Sequence, residues 1–473
     1  MASAPFTPPE TGPEEDLPRQ FSNRDQLAAV LQARFPQLDG DLSPILGGRR
    51  QAERLLAKID PVRYGSTRNH LDGAVSQLSP FIRHGVLTLA EVREAVFTQL
   101  RQAGLDRREA RDQGGKLINE LGWRDYWQRL WRRIGDGIWA DLEPLKTGHP
   151  AHAYADHLPD DIAVGQTGLA CIDAFATDLT RIGWLHNHAR MWLASYVVHW
   201  RKVRWQAGAR WFLRHLLDGD PASNNLSWQW VASAFSVKPY IFNRANLERF
   251  SGGRYCGGCP RAGAGGASRP GGCPFESSYE NLQARLFGRQ GADPSGDSGR
   301  GSLRDAAAMA MLKGKRKGTE AASLAGAEAT PWDRFKAPIL WIHEESLGPT
   351  SSPLHRHPQR QAVFVLEPDP ISLRRLGFLY ECLLELPVTI RCGEESGEVL
   401  AFAKRHDADG VVTSAAVNPR LAEIRTRIAA EIPVEVVEPE PFVALSESCE
   451  RPLDLGRFSR YWRRAEPLVW DLW

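Results

Sequence analysis

The sequence predicts an all-helical domain followed by a parallel α/β domain, and three observations carry that prediction. Eleven of the sixteen tryptophans fall between Trp123 and Trp230, at steps that suit helices. From Lys336 onward, short apolar runs alternate with amphipathic ones of helical length. Between the two, residues 286–335 turn to Gly, Ser, Ala and Lys, a composition that buries too little apolar area to fold alone. The expected division is a disordered leader over 1–20, a helical domain over 21–285, a flexible linker over 286–335 with a short helix near AAAMAML, and an α/β domain over 336–473.

Length and charge set the outer bounds. A chain of 473 residues is long enough for two proper cores. Its 59 basic and 57 acidic side chains leave a formal charge of +2, so any basic groove for nucleic acid must be local. No apolar run approaches the roughly 20 residues that span a bilayer. The opening MASAPFTPPETGPEEDLPRQ lacks the basic and apolar parts of a signal peptide. A soluble, cytoplasmic monomer is expected. Seven cysteines, an odd number in a large chain, argue against a disulfide framework.

Along the chain, residues 22–60 carry apolar positions at helical spacing and end before Pro61. After the break IDPVRYGSTRN, the run AVSQLSPFIRHGVLTLAEVREAVFTQL reads as helix, turn, helix. In KLINELGWRDYWQRLWRRIG, Trp123, Tyr126, Trp127, Leu130 and Trp131 recur three and four residues apart, the pattern of a core face. Glu120 stands one turn before Trp123, where a carboxylate can bond a base edge while the indole stacks on its face, or can simply be solvated. The stretch from Thr167 to Trp230 holds W-L-H-N-H-A-R-M, then DGD-P-A-S-NN, then W-Q-W, with arginines interleaved. Tryptophans so spaced are ordinarily core, and Arg201, Arg204 and Arg210 suit a solvated face as well as phosphate contacts. In the last third, APILWIH, AVFVLEPD, VTIRCGE, DGVVTSA and PVEVVEP read as buried strands, separated by helical RRLGFLYECLLEL, GEVLAFAKRH and RLAEIRTRIAAEI. Strand and helix alternating at this length imply a parallel sheet covered on both faces.

Taken with Tyr64, Arg68 and Asn69 in Y-x-x-x-R-N, and Ser76, Leu78, Ser79 and Gly85 in S-x-L-S-P-x-x-x-x-G, these segments resemble the flavin-binding helical domain of the DNA photolyase and cryptochrome family. The resemblance implies FAD, with Tyr64, Ser76, Leu78 and Ser79 about its diphosphate at a helix start, where unpaired N–H groups favour anions. It further implies Arg190 paired with Asp218 along the flavin edge, Asp220 in the same loop, and Asn224 facing flavin N5. Glu120, Asn187, Trp123, Met191, Trp230 and His186 would surround an extruded pyrimidine dimer, whose damaged stacking makes it cheaper to extrude than intact bases. Trp228 and Trp205 match the proximal and middle tryptophans of the family's electron route. Its distal place holds Ile162, so Trp200 or Trp211 would have to close the route.

The function so implied is blue-light-driven splitting of cyclobutane pyrimidine dimers in DNA by an electron from reduced FAD. The alternatives are a cryptochrome-type light receptor and a (6-4) photolyase. The branch repairing (6-4) products has adjacent histidines, whereas His186 and His188 here flank Asn187, which favours the cyclobutane dimer. The lesion-pocket residues, kept together, favour an enzyme over a receptor. In the family the Rossmann-like α/β domain, which can hold an antenna chromophore, precedes the helical one; here it follows. GRFSRYWRRAEPL resembles the segment normally between them, so a circular permutation is implied, with 286–335 as the fused old termini.

Cys256-x-x-Cys259 with Cys273 is one ligand short of a metal site, so zinc or no metal at all is the default reading, and Cys171 is the candidate fourth. Four thiolates suit zinc or iron–sulfur. Their placement resembles the family's iron–sulfur branch and implies a 4Fe-4S cluster. Cys382, Cys392 and Cys449 lie in or beside the α/β pattern and are expected to be inert.

Overall fold

The computed structural model describes residues 16–262, 272–288, 334–367, 371–445 and 452–473. Helices α1 (Arg24–Arg34), α2 (Arg49–Leu56), α3 (Pro61–Thr67), α4 (Ser79–Arg83), α5 (Leu89–Gln102) and α6 (Arg107–Ile134) come first. Then follow α7 (Asp160–Ala163), α8 (Ala170–Arg181), α9 (Asn187–Ser195), α10 (Trp205–His215), α11 (Pro221–Ala232), α12 (Arg244–Ser251) and α13 (Tyr279–Phe287). The expected helical run over 22–60 is split into α1 and α2, because Pro36, Gly40, Gly47 and Gly48 interrupt it. Helix α6 begins nine residues ahead of the expected Lys116, where Asp106 and Glu109 form a capping box that satisfies the first free N–H groups. It ends at Gly135, whose φ of 54° halts the helix.

The α/β part follows. Strands β1 (Ile339–Ile342), β2 (Ala362–Leu366), β3 (Thr389–Cys392), β4 (Val411–Ser414) and β5 (Val434–Val437) form one sheet in the order β3-β2-β1-β4-β5. All four pairings are parallel, with Trp341 opposite Val363 on one side and Thr413 on the other. Helices α14 (Leu373–Leu384), α15 (Glu395–Arg405) and α16 (Pro419–Ala429) cover it, and α17 (Phe458–Trp470) closes the chain. β1, β2 and β4 are buried at every position, as inner strands of a doubly covered sheet should be, although β4 carries Thr413 and Ser414.

The two parts share a core. One apolar cluster runs from Phe81 and Leu226 in the helices to Leu340 and Phe378 in the α/β part, with the Phe81 and Phe378 rings 5.2 Å apart. The last helix docks on the helical part, not on the sheet: the Tyr461 hydroxyl donates to Asp125 at 2.6 Å, and Trp462 lies so close to Gly122 that a Cβ there would sit 2.1 Å from its ring. A glycine at 122 is what admits the indole.

Two sequence expectations need correction here. The end of the supposedly disordered leader is ordered: Leu17 N–H donates to Ile390 O at 2.7 Å, covering the free edge of β3, and the Arg19 guanidinium caps carbonyls after α14. The linker starts later than 286, since Leu286 and Phe287 are buried in α13. Arg19 and Phe287 are held by tertiary contacts that composition does not reveal. Residues 1–15, the helix expected near AAAMAML and Cys449 lie outside the described residues. Among the described residues, no helix is long and apolar enough to cross a membrane.

Candidate functional site

The turn 217–220 between α10 and α11 gathers the polar groups singled out in the sequence. Asp220 caps α11, accepting from Ser223 N–H at 2.6 Å, and Pro221 supplies the first helical residue. Gln128 of α6 donates to both Asp220 oxygens, at 3.0 and 2.8 Å. Against the cost of burial, Arg124 and Arg83 hold this carboxyl below its usual range, so it stays ionised. Asp218 is buried, and its Oδ2 accepts from Arg190 at 2.8 Å, while Arg190 Nε donates to Leu185 O. The other oxygen, Asp218 Oδ1, is buried with no protein partner. Leaving such an atom unpaired costs about 1–3 kcal/mol, so a group outside the chain is expected to face it.

The other predicted residues are held by contacts of their own. His186 caps α9 through Nδ1, which accepts from His188 N–H at 3.1 Å. Burial, with His188 and Arg190 nearby, pushes its pKa down to about 4, so the ring is neutral near pH 7, and Nε2 is buried without a partner. Asn224 donates to Ala209 O and to Asn225 Oδ1, both at 3.0 Å. Ser79 opens α4 and accepts from Trp184 Nε1 at 3.3 Å, and Ser76 Oγ lies 3.5 Å from Leu78 N. The Tyr64 phenol is pushed up to about 12 by burial and by Glu120. Glu120 itself pairs with Arg68 at 2.8 Å, which ties α6 to the end of α3.

Trp123 and Trp230 line one open cavity with Tyr126, Trp127, Phe235 and Arg457. Glu120, Asn187 and Met191 do not line it; Asn187 and Met191 touch each other one turn apart on α9. The rings of Trp123 and Phe458 are stacked, 3.8 Å apart at 10°, so one face of the expected base platform is covered from the far end of the chain. Arg457, beside it, pairs with Glu143 at 2.5 Å. The segment holding Phe458 was legible as an aromatic i, i+3, i+4 pattern with Tyr461 and Trp462, but its partner was not.

Trp228 and Trp205 are both buried. Trp228 lies flush on α10, where a Cβ at Gly208 would come within 2.2 Å of its ring, and Trp205 sits one turn earlier with its Nε1 on Asp141 at 2.6 Å. Of the two candidates for the distal place, Trp211 reaches Trp228 through Phe212, by ring steps of 5.7 and 4.9 Å. Trp200 packs instead on Phe242 and Phe275.

The four singled-out cysteines line a second, small cavity, together with Leu169, Leu247, Tyr255, Phe275 and Arg244. Burial pushes the Cys256 thiol up to about 11 and raises those of Cys171 and Cys273, and the thiols raise one another. That cost of a thiolate is what a bound cation removes. Among the described residues, no three His, Cys, Asp or Glu side chains are placed to hold a single metal ion.

The class this fold and site define is a helical domain with a polar turn that leaves one buried carboxylate oxygen unpartnered, joined to a parallel α/β domain. The particular likeness is to DNA photolyase: residues 117–251 match the FAD binding domain of DNA photolyase. The chain is 35% identical over 159 residues to the deoxyribodipyrimidine photo-lyase of Streptomyces griseus, 34% of this chain and 32% of that one. It is 35% identical over 140 residues to that of Escherichia coli (strain K12), 28% of each chain. A solved Synechocystis sp. PCC6803 cryptochrome superposes with a TM-score of 0.40 at 23% identity, over 46% of this chain and 47% of that one. The chain thus spans about a third of the length of the curated relatives named here.

Proposed function

We propose that this chain is a light-driven DNA repair flavoprotein of the DNA photolyase and cryptochrome family that splits cyclobutane pyrimidine dimers. The observation that carries the reading is the Arg190–Asp218 pair with its orphaned, buried Oδ1, set within the stretch similar to a photolyase FAD binding domain. When bound, reduced FAD would supply the photoexcited electron that splits the dimer. Arg190 fixes the Asp218 carboxylate, which would face the flavin edge, Asp220 fixes the start of α11, and Asn224 would present its amide from the next turn. Tyr64, Ser76, Leu78 and Ser79 would bind the diphosphate. Trp123 and Trp230 offer apolar ring faces to the extruded bases, for which stacking is worth about 1–3 kcal/mol each. Glu120, Asn187, Met191 and His186, which do not line that cavity, would have to meet the extruded bases from outside it, and Trp205 and Trp228 would carry electrons from the surface.

The division into helical domain, linker and α/β domain belongs to the same proposal, as does a circular permutation of the family's domain order. The return of α17 to α6 supports it: the chain's last helix completes the first domain. We further propose that Cys171, Cys256, Cys259 and Cys273 hold a 4Fe-4S cluster. What supports this is that the four thiols line one cavity, Cys256 and Cys259 in C-x-x-C spacing. The six described cysteines are free, which suits a cytoplasmic setting.

The decisive experiment reconstitutes the full chain with FAD, reduces it, and illuminates it with DNA carrying either cyclobutane or (6-4) lesions. Light-dependent recovery of intact thymines from cyclobutane dimers is expected; flavin uptake without repair of either lesion sinks the enzyme. Recovery from (6-4) DNA alone would change the lesion. A cryptochrome-type receptor is the second reading, favoured by the Phe458 ring that already occupies one face of Trp123. For the cluster, Cys171→Ser should lower both iron and acid-labile sulfide; unchanged contents contradict it.

A further inference from the structure

The turn 217–220 is gripped by residues that the flavin reading does not use. Arg83, the last residue of α4 and buried, donates from Nε to Gly219 O at 3.0 Å. Its two terminal nitrogens reach Glu345 Oε1 at 2.9 Å and Glu344 Oε1 at 3.2 Å. His84, fully buried, spans the same gap: Nε2 lies 2.9 Å from Leu217 O and Nδ1 3.0 Å from Glu344 O. Both partners are carbonyl oxygens, so the neutral ring favoured by burial donates to only one of them. From α14, Arg375 lies 3.6 Å from Glu344 Oε2, and its Nη1 crowds Gly219, where a Cβ would be 2.9 Å away.

Glu344 and Glu345 follow β1 directly, beside β4, at the point where the strand order reverses. Open parallel sheets commonly bind ligands in that crevice. Here it is filled from within, by two carboxylates turned to Arg83 and by His343 bonded to Ser414 O at 3.0 Å. The sheet thereby acts on the helical domain through a buried charge network that ends on the backbone of the Asp218–Asp220 turn.

We propose that Arg83 and Glu344 are positioning residues for the flavin-binding turn, so that the α/β domain sets both the shape of 217–220 and the electrostatic field at Asp218. This rests on the flavin reading above. A buried charge acts over several ångströms with little screening. Removing the negative charge of Glu344 should therefore favour the electron-rich flavin, and removing the positive charge of Arg83 should disfavour it.

The test uses the full chain with Glu344→Gln and Arg83→Gln, and Arg83→Lys as a charge-keeping control. Expected are an FAD dissociation constant about tenfold higher in both Gln variants, a flavin midpoint potential raised by Glu344→Gln and lowered by Arg83→Gln, and partial rescue by Arg83→Lys. Faster amide exchange at Leu217 and Gly219 in the flavin-free Glu344→Gln protein is also expected. Lower thermal stability with unchanged potential and unchanged exchange would reduce the network to packing and overturn the proposal. If the wild-type chain takes up no FAD, the flavin reading fails by itself. The exchange measurement then decides the strap alone, and unchanged exchange overturns it.

Discussion

Asp218 shows how much one atom can imply. One oxygen is matched by Arg190 and the other by nothing in the chain, an imbalance that a folded protein tolerates when a ligand completes it. Asp218→Asn keeps the shape and removes the charge; FAD affinity should fall by about tenfold or more, read by titration of flavin fluorescence. Glu395 is a different case. Burial, with Glu367 adding to it and Arg420 opposing, pushes its carboxyl up from 4.5 to about 7. The folded chain thus keeps a proton that the unfolded chain releases, so this residue's stabilising contribution is whole below about 4.5 and is lost as pH rises to about 7. Glu395→Gln, which can still accept from Trp341 Nε1, should flatten stability across that window, as followed by urea midpoints at successive pH values. Glu395 was invisible in the sequence as anything but a surface carboxylate, because nothing local marks the burial that shifts it.

At the scale of elements, helix spacing decides how closely aromatic rings approach. α10 and α11 can touch only because Gly208 offers no side chain beneath Trp228. Gly208→Ala should displace that indole, cost about 1–3 kcal/mol in denaturant unfolding, and slow photoreduction of bound flavin. The strands were legible as short Val- and Ile-rich runs between helical ones, since parallel strands under helices are mostly apolar, even where Arg391 in β3 and Glu435 in β5 break the run. The cap of α11 was legible as well, in Asp followed by Pro. The stack of Phe458 on Trp123 was not, for a residue at one end of the chain carries no local sign of its partner more than three hundred positions away.

Across the whole molecule, the two domains are neither separate nor merely tethered. Phe81 and Phe378 pack across the boundary, Arg83 pairs with the end of β1, and Tyr461 bonds back to Asp125. Tyr461→Phe removes a bond to a buried carboxylate that keeps its pairing with Arg129, and should cost about 1.5–3 kcal/mol in global stability. Loss appearing in one cooperative urea transition, monitored by both tryptophan fluorescence and far-UV dichroism, is expected for a shared core. Two resolved transitions would contradict it.

Local order belongs to the sequence. Its apolar periods determined the helices, its short apolar runs the parallel sheet, and its caps and turns the polar groups near 218–224, because each depends on neighbours a few positions apart. Tertiary structure decided which charges meet. The Arg83–Glu344 network, the covered face of Trp123 and the gathering of four distant cysteines about one cavity all join segments far apart in the chain. Burial and long-range electrostatics act through space, and only the folded chain fixes those distances.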